Sequence, residues 1–232
     1  MTQSAELIKN NLDAVIQRIN GAAARAGRDP SDINLIGVTK TVDAARIKAA
    51  YDCGIENFGE NRVQELCEKT DILDMDCIWH LIGHLQTNKV KYIIDKVHLI
   101  HSLDSLELAK EISRRAQKLG RTMDVLVQVN VAGEDSKFGI RPDEAVGFVK
   151  EVSRMGNIRV RGLMTIAPLS ADPEDVRWVF AGLGKLRIDI SRENIDNVNM
   201  DYLSMGMSND FEVAIEEGAN MVRIGSALFG KR

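Results

Sequence analysis

Eight short runs rich in β-branched and aliphatic residues recur along this 232-residue chain, and all but the last are followed by a turn and a stretch of helical spacing. They are "NLIGVTK" (34–40), "GIENFG" (54–59), "CIWHLIG" (77–83), "VHLIHSL" (97–103), "MDVLVQVNV" (123–131), "IRVRGLMTIA" (158–167), "YLSMGMS" (202–208) and "MVRIGSA" (221–227), with the second the weakest in pattern. Parallel strands need crossovers of a dozen or more residues. All seven gaps read as helix-like, as in "DSLELAKEISRRAQKLG" with its apolar Leu106, Ala109, Ile112, Ala116 and Leu119, so a parallel sheet is predicted. Eight strand–helix units fit a closed (β/α)8 barrel of the TIM type. A further amphipathic helix, marked by Leu7, Ile8, Leu12, Val15, Ile16 and Ile19, precedes the first run, while only "LFGKR" follows the last. The extra N-terminal helix is therefore expected to cover the place of the missing last outer helix. An open doubly wound sheet is the alternative, and the lack of G-x-G-x-x-G after the first run weighs against its dinucleotide-binding form. With 44% hydrophobic residues and no linker or low-complexity tract, residues 1–232 are expected to form a single domain.

Charge and cysteine content narrow the function. Thirty Lys and Arg against 34 Asp and Glu leave a net charge of -4 with no basic stripe, which argues against nucleic acid as a partner. Cys53, Cys67 and Cys77 fit neither a disulfide framework nor zinc-ligand spacing. The N-terminus lacks the apolar core of a signal peptide and no run of 18 apolar residues occurs, so no membrane association and a cytoplasmic location are expected.

In an eight-stranded α/β barrel the site lies at the C-terminal strand ends, with phosphate commonly held after strands seven and eight. The chemistry-bearing residues fall there: Lys40 after the first strand, Glu60 and Asn61 after the second, His84 near the third, Gln128 and Asn130 on the fifth. "SMGMSND" and "RIGSALFG" each run from a strand through a glycine into a serine. Ser208 is expected to cap a helix starting near Asn209, and Gly225 and Ser226 to offer open backbone to an anion. Each alone reads more simply as a tight strand-to-helix turn; together, at strands seven and eight, they favour an anion cradle. Barrel closure makes the strands of Arg223 and Lys40 neighbours. A lysine partly desolvated beside another cation has a lowered pKa and becomes an amine nucleophile toward an aldehyde.

His80 and His84 are four apart, but along a strand that is roughly 13 Å, too far for one metal ion. His84, Gln86, Asn88 and Lys89 line the rim or cap the following helix, with equal weight on either. His98 and His101 flank the fourth strand as hydrogen-bonded residues, and Lys137 in "GEDSKFG" reads as an exposed lysine with the option of a second, transient aldehyde acceptor.

The motifs "GVTKT", "NFGENRVQE", "WHLIGHLQTNK", "IHSLDS", "VNVAGEDSKFGI", "RGLMTIAP", "LSMGMSND" and "VRIGSALFG" closely resemble those of the pyridoxal phosphate homeostasis proteins, whose barrel is similar to the N-terminal domain of bacterial alanine racemase. Ser226 and Leu228 depart from the threonine and isoleucine common there. The resemblance implies pyridoxal 5'-phosphate (PLP) as cofactor, carried by Lys40 as a Schiff base. It implies that Asn61, Ser204, Met205, Ser208, Gly225 and Ser226 hold its ring and phosphate, and that Arg223 faces the pyridine nitrogen. An arginine there keeps that nitrogen unprotonated and weakens the ring as an electron sink. Racemisation needs a second base, in alanine racemase a tyrosine from an additional domain; Tyr51, Tyr92 and Tyr202 are not expected to supply it, and no such domain is expected here. The expected function is thus a monomeric carrier with little or no catalytic activity that buffers PLP and passes it to PLP-dependent apo-enzymes. A PLP-dependent racemase is the alternative, and a class I aldolase-like barrel ranks below both.

Overall fold

A computed structural model describes residues 3–134 and 136–230. Eight parallel strands close into a barrel in sequence order. They are β1 (Asn34–Val38), β2 (Asn57–Glu60), β3 (Ile78–Leu81), β4 (Leu99–Leu103), β5 (Met123–Gln128), β6 (Ile158–Met164), β7 (Val198–Met207) and β8 (Met221–Ile224). β8 pairs with β1, placing Ile36 opposite Arg223 and sealing the sheet. The eight predicted runs are all present, the weak second one included.

Six of the seven crossovers contain an α-helix: α2 (Ala44–Asp52), α3 (Val63–Ile72), α4 (Leu106–Lys118), α5 (Ala145–Ser153), α6 (Arg177–Arg192) and α7 (Phe211–Glu216). The expected seventh, between β3 and β4, is instead a six-residue 3-10 helix, Thr87–Tyr92. Val90, Ile93, Ile94 and Val97 keep helical spacing and are all buried, but the chain takes only this short 3-10 helix and isolated turns there. α4 shows the opposite case. Ser105 accepts from Leu108 N at its start, Leu108, Ala109, Ile112 and Ala116 form one buried face, and Arg115 and Lys118 sit in its last turn.

The N-terminal helix α1 (Gln3–Arg25) packs against α2, α7 and α8 (Ser226–Phe229), the four-residue turn that follows the last strand. It closes the outer ring as expected. Ile8, Leu12, Val15 and Ile19 are buried there, but Leu7 and Ile16 face solvent at 53% and 39% exposure, one step off the buried face. Arg18 and Arg25 reach Glu212 and Glu216 of α7 at 2.6–2.9 Å, and Asn11 donates to Leu228 O.

The outward strand faces and inward helix faces form one large apolar layer that includes Phe58, Phe180 and Phe211, each fully buried. Each such ring contributes roughly 1.5–3 kcal/mol by leaving water. A second, smaller cluster fills the barrel itself with Ile36, Leu99, Leu126, Met164 and Met221. Among the described residues no helix is long and apolar enough to cross a membrane.

Candidate functional site at the barrel mouth

A cavity of about 590 Å³ opens at the C-terminal ends of the strands. Lys40, Asn61, Ser208, Arg223, Gly225 and Ser226 all line it, so residues up to 186 positions apart in sequence converge. Apolar Val38, Ile82, Ile166, Pro168 and Leu169 form the other wall. Lys137 reaches the same cavity, while Asp135 of its loop lies outside the described residues.

Lys40 follows β1 by two residues and is exposed, so the partial desolvation expected for it is not present. Its neighbour Thr41 has φ 59, a left-handed backbone that a β-branched residue adopts only under constraint. Asn61 is partly buried, and its Oδ1 is shut off from solvent without a hydrogen-bond donor among the described residues. Its position is fixed from behind by Gly83, where a Cβ would lie 2.3 Å from Asn61 O.

Ser208 does not cap the helix that follows it. α7 starts at Phe211, and Asp210 Oδ1 instead accepts from Met207 N at 2.6 Å. Ser208 Oγ accepts from Gly225 N at 3.3 Å and Ala227 N at 3.2 Å. The hydroxyl of the β7 turn thus clamps the β8 turn. The N–H of Ser226, first of its helix, has no intrahelical acceptor. Gly206 allows the turn to pass close to α7: a Cβ there would sit 2.8 Å from Phe211 Cα, and its φ is +90.

Arg223 is 4% exposed, and burial pulls its pKa down to about 10, against the attraction of Asp210. It remains a cation at neutral pH. Nη1 donates to Ser204 Oγ at 2.6 Å and Nη2 to Thr165 O at 2.8 Å. Ser204 is fully buried and lies beneath the cavity wall rather than on it, and Met205 points the other way, into the outer apolar layer. The alternation of a strand imposes this, because neighbours on β7 face opposite sides. Of the eight residues proposed from sequence, six meet at the mouth and these two do not.

Below Arg223 runs a polar chain that the sequence did not disclose. Ser204 Oγ is 2.9 Å from His101 Nδ1, His101 Nε2 is 3.0 Å from His80 Nδ1, and His80 Nε2 is 3.1 Å from Asn57 Oδ1. Burial drives His80 down to about 3, with His98 adding to it, and drives His101 well below its ordinary value, with His80 and Arg223 adding to that. Both rings are neutral. Asn57 Oδ1 can only accept, so His80 Nε2–H donates to it, His101 Nε2–H donates to His80 Nδ1, and Ser204, which accepts from Arg223, donates to His101 Nδ1. The sequence signal was present in form: His80, His101, Ser204 and Arg223 are polar residues on otherwise apolar strands.

Asp210, also missed, lines the cavity; burial raises its pKa, opposed by Met207 N–H and Arg223. His84 neither lines the cavity nor caps a helix. It stacks on Phe138 at 3.8 Å and faces Asp104 at 3.4 Å. Gln128 donates to Phe138 O and Asn130 to Glu134 O, so both brace the loop that carries Lys137. Tyr51, Tyr92 and Tyr202 lie away from the cavity lining.

Residues 10–232 match the family model for the N-terminal domain of alanine racemase. The chain is 50% identical over 222 residues to the pyridoxal phosphate homeostasis protein of Aquifex aeolicus, covering 95% of this chain and 96% of that one. Its counterpart in Pseudomonas aeruginosa is 40% identical over 226 residues, covering 97% and 96%. Among solved structures, PipY of Synechococcus elongatus with PLP bound aligns with a TM-score of 0.82 at 33% identity, over 96% of this chain and all of that one. An alanine racemase from Clostridium difficile aligns with a TM-score of 0.80 at 17% identity, over 98% of this chain and 57% of that one, which is a likeness of fold.

Proposed function

The chain belongs to the pyridoxal phosphate homeostasis protein family, and from that membership we propose that it is a PLP carrier. Lys40 holds the cofactor reversibly as a Schiff base, with little or no catalysis, and the protein buffers PLP and yields it to PLP-dependent apo-enzymes in the cytoplasm as a monomer. Such a cofactor supplies an aldehyde that condenses with a primary amine, releasing water.

The observation that carries this reading is an exposed primary amine that lines one cavity together with Ser208 and the Gly225–Ser226 turn. The donors suit a phosphorylated aromatic aldehyde. Ser208, Ser226 and the backbone around Gly225 offer hydroxyl and N–H groups to a phosphate. Asn61 brings a buried oxygen that lacks a donor among the described residues, matching a ligand hydroxyl. Arg223 is fixed by Ser204 and Thr165 and presents N–H groups, never a carboxylate, to a ring nitrogen. A volume of about 590 Å³ is ample for such a ligand.

The test is the visible spectrum of the protein with added PLP, followed by borohydride reduction and peptide mass mapping. A covalent label at Lys40, lost in Lys40→Ala, is expected; a label elsewhere, or an unchanged band in the variant, refutes the assignment. A racemase reading has Asp210 in its favour, the one carboxylate lining the cavity among the described residues. It requires exchange of the α-proton of alanine or serine in deuterated water that depends on Lys40, and the carrier reading expects none above the rate of free PLP.

A further inference from the structure

Lys69 lies on α3 with only 8% exposure, among the buried apolar positions Val63 and Leu66. A buried ammonium costs several kcal/mol unless every donor is used. Here all three are used. Nζ donates to Thr39 O at 2.7 Å, Glu60 Oε1 at 2.5 Å and Glu65 Oε2 at 3.2 Å.

The same carboxylates reach back to the mouth. Glu60, fully buried, accepts from Thr39 Oγ1 at 2.6 Å through Oε1 and from Asn61 N at 3.1 Å through Oε2. Glu65 Oε2 accepts from Thr41 N at 2.7 Å. One buried cation and two carboxylates therefore hold the residue before Lys40, the residue after it, and Asn61 across from it. The residue after it is Thr41, whose φ of 59 persists only where the surroundings over-determine it.

We propose that the Lys69–Glu60–Glu65 cluster is a positioning device that holds the strained Thr39–Thr41 turn and so aims the Lys40 amine into the cavity. None of the three touches the ligand site through its own side chain. The proposal rests on the reading of Lys40 as the amine that captures an aldehyde. In that capture the C–N bond forms, the carbonyl oxygen departs as water, and no oxidant or reductant is required.

The experiment measures the rate at which the full-length protein, stripped of cofactor, forms a borohydride-trappable adduct with PLP at Lys40. Glu65 is about one-fifth exposed, so its variants are the least disruptive. Glu65→Ala frees Thr41 N–H and is expected to slow capture about tenfold, the order of effect of an αL residue released from its constraint. Glu65→Gln keeps an acceptor oxygen and is expected to stay within about threefold of the parent. Thr41→Gly added to Glu65→Ala is expected to recover most of the rate, since glycine takes positive φ without strain. Lys69→Met combined with Glu60→Gln removes both buried charges together and is expected to slow capture to a similar degree.

Urea unfolding separates positioning from simple stability. Glu65→Ala and Glu65→Gln both lose the ion pair with Lys69 and fall together in stability, whereas their capture rates diverge. Equal rates in Glu65→Ala and the parent, or a glutamine variant as slow as the alanine one with no recovery by Thr41→Gly, overturn the positioning role. If the parent forms no adduct at Lys40, the carrier reading falls first and takes this proposal with it; if the parent reacts and every variant matches it, only this proposal falls.

Discussion

Replacing Ser204 by alanine removes one oxygen from the middle of the interior chain, and its cost can be worked from two contacts. Arg223 Nη1 loses an acceptor at 2.6 Å and His101 Nδ1 loses a donor at 2.9 Å, both in groups at most 4% exposed. A buried polar group left unpaired costs about 1–3 kcal/mol, more when charged, so the pair sums to roughly 3–5 kcal/mol. In a chain of this length each kcal/mol lowers Tm by about 2–4 °C, giving a fall on the order of 10 °C. Ser102 on β4 supplies the control. Its Oγ is fully buried and has no hydrogen-bond partner among the described residues, so Ser102→Ala removes a desolvated hydroxyl and is expected to be neutral or stabilising by up to about 1 kcal/mol. Urea unfolding of both variants without ligand, with matched m-values, makes the comparison. A loss below about 1 kcal/mol for Ser204→Ala, or one no larger than for Ser102→Ala, would refute a continuous chain and with it the assigned tautomers.

Acid is expected to weaken the fold through the same chain. His80 titrates near 3 in the native protein and near 6.5 when unfolded; His101 is shifted the same way. The native pKa values are the lower ones, so this stability is complete above pH 6.5. It is lost on acidification toward 3, by up to about 1.4 kcal/mol per pH unit for each ring. Urea unfolding at pH 7.5 and 5.0 is expected to differ by several kcal/mol, and a flat profile over that interval contradicts two buried neutral histidines. Gly83→Ala pushes a methyl to within 2.3 Å of Asn61 O, so PLP affinity is expected to drop at least tenfold while the barrel stays folded; an unchanged Kd in a titration counts against Asn61 as a ligand contact. Ser208→Ala frees two backbone N–H groups of the β8 turn and is expected to weaken PLP binding by about tenfold, with Ser208→Thr retaining most of it; equal loss in both variants rules out the hydroxyl as the cause.

The barrel was legible because its evidence is local. Each strand is a compact apolar run and most crossovers carry a 3.6-residue stripe, so strand number and order follow without any long-range information. The segment 84–96 misled because Val90, Ile93, Ile94 and the following Val97 have helical spacing and are buried, yet the backbone there forms only a short 3-10 helix and turns. At the mouth, residues at strand ends were found by position alone, as Lys40, Asn61 and the Gly225–Ser226 turn show. Barrel closure did place the strands of Lys40 and Arg223 side by side; what failed were inferences that needed a particular hydrogen-bond partner from another strand. Ser208 looked like the cap of its own helix, whereas the β7–β8 pairing carries its hydroxyl to Gly225 and Ala227. His101 and Ser204 are 103 positions apart, and only barrel closure makes them adjacent. Lys69 carried a faint signal, a charge three residues after Leu66 on an otherwise buried helix face.

The direction of the interior hydrogen bonds bears on what the mouth can do. Arg223 sits at the top of the chain and can only donate, and each hydroxyl or ring below it accepts from above and donates downward, ending on Asn57 Oδ1. Asn57 Oδ1 can only accept, so reversing that order would leave its bond to His80 Nε2 without a proton unless His80 were charged, and burial opposes that, holding His80 at about 3. The chain therefore cannot deliver a proton upward; it locks the guanidinium in place. Among the described residues around the cavity, Lys40, Lys137 and Arg223 stand against Asp210, three cations to one carboxylate, in a chain whose net charge is -4. A ligand that enters meets more cations than carboxylates and fixed donors, with Asp210 the one lining carboxylate among the described residues to exchange a proton with it. That combination favours binding and release of an anionic aldehyde over proton-transfer chemistry upon it, because retention requires charge and hydrogen bonds while turnover requires a poised acid and base on opposite faces.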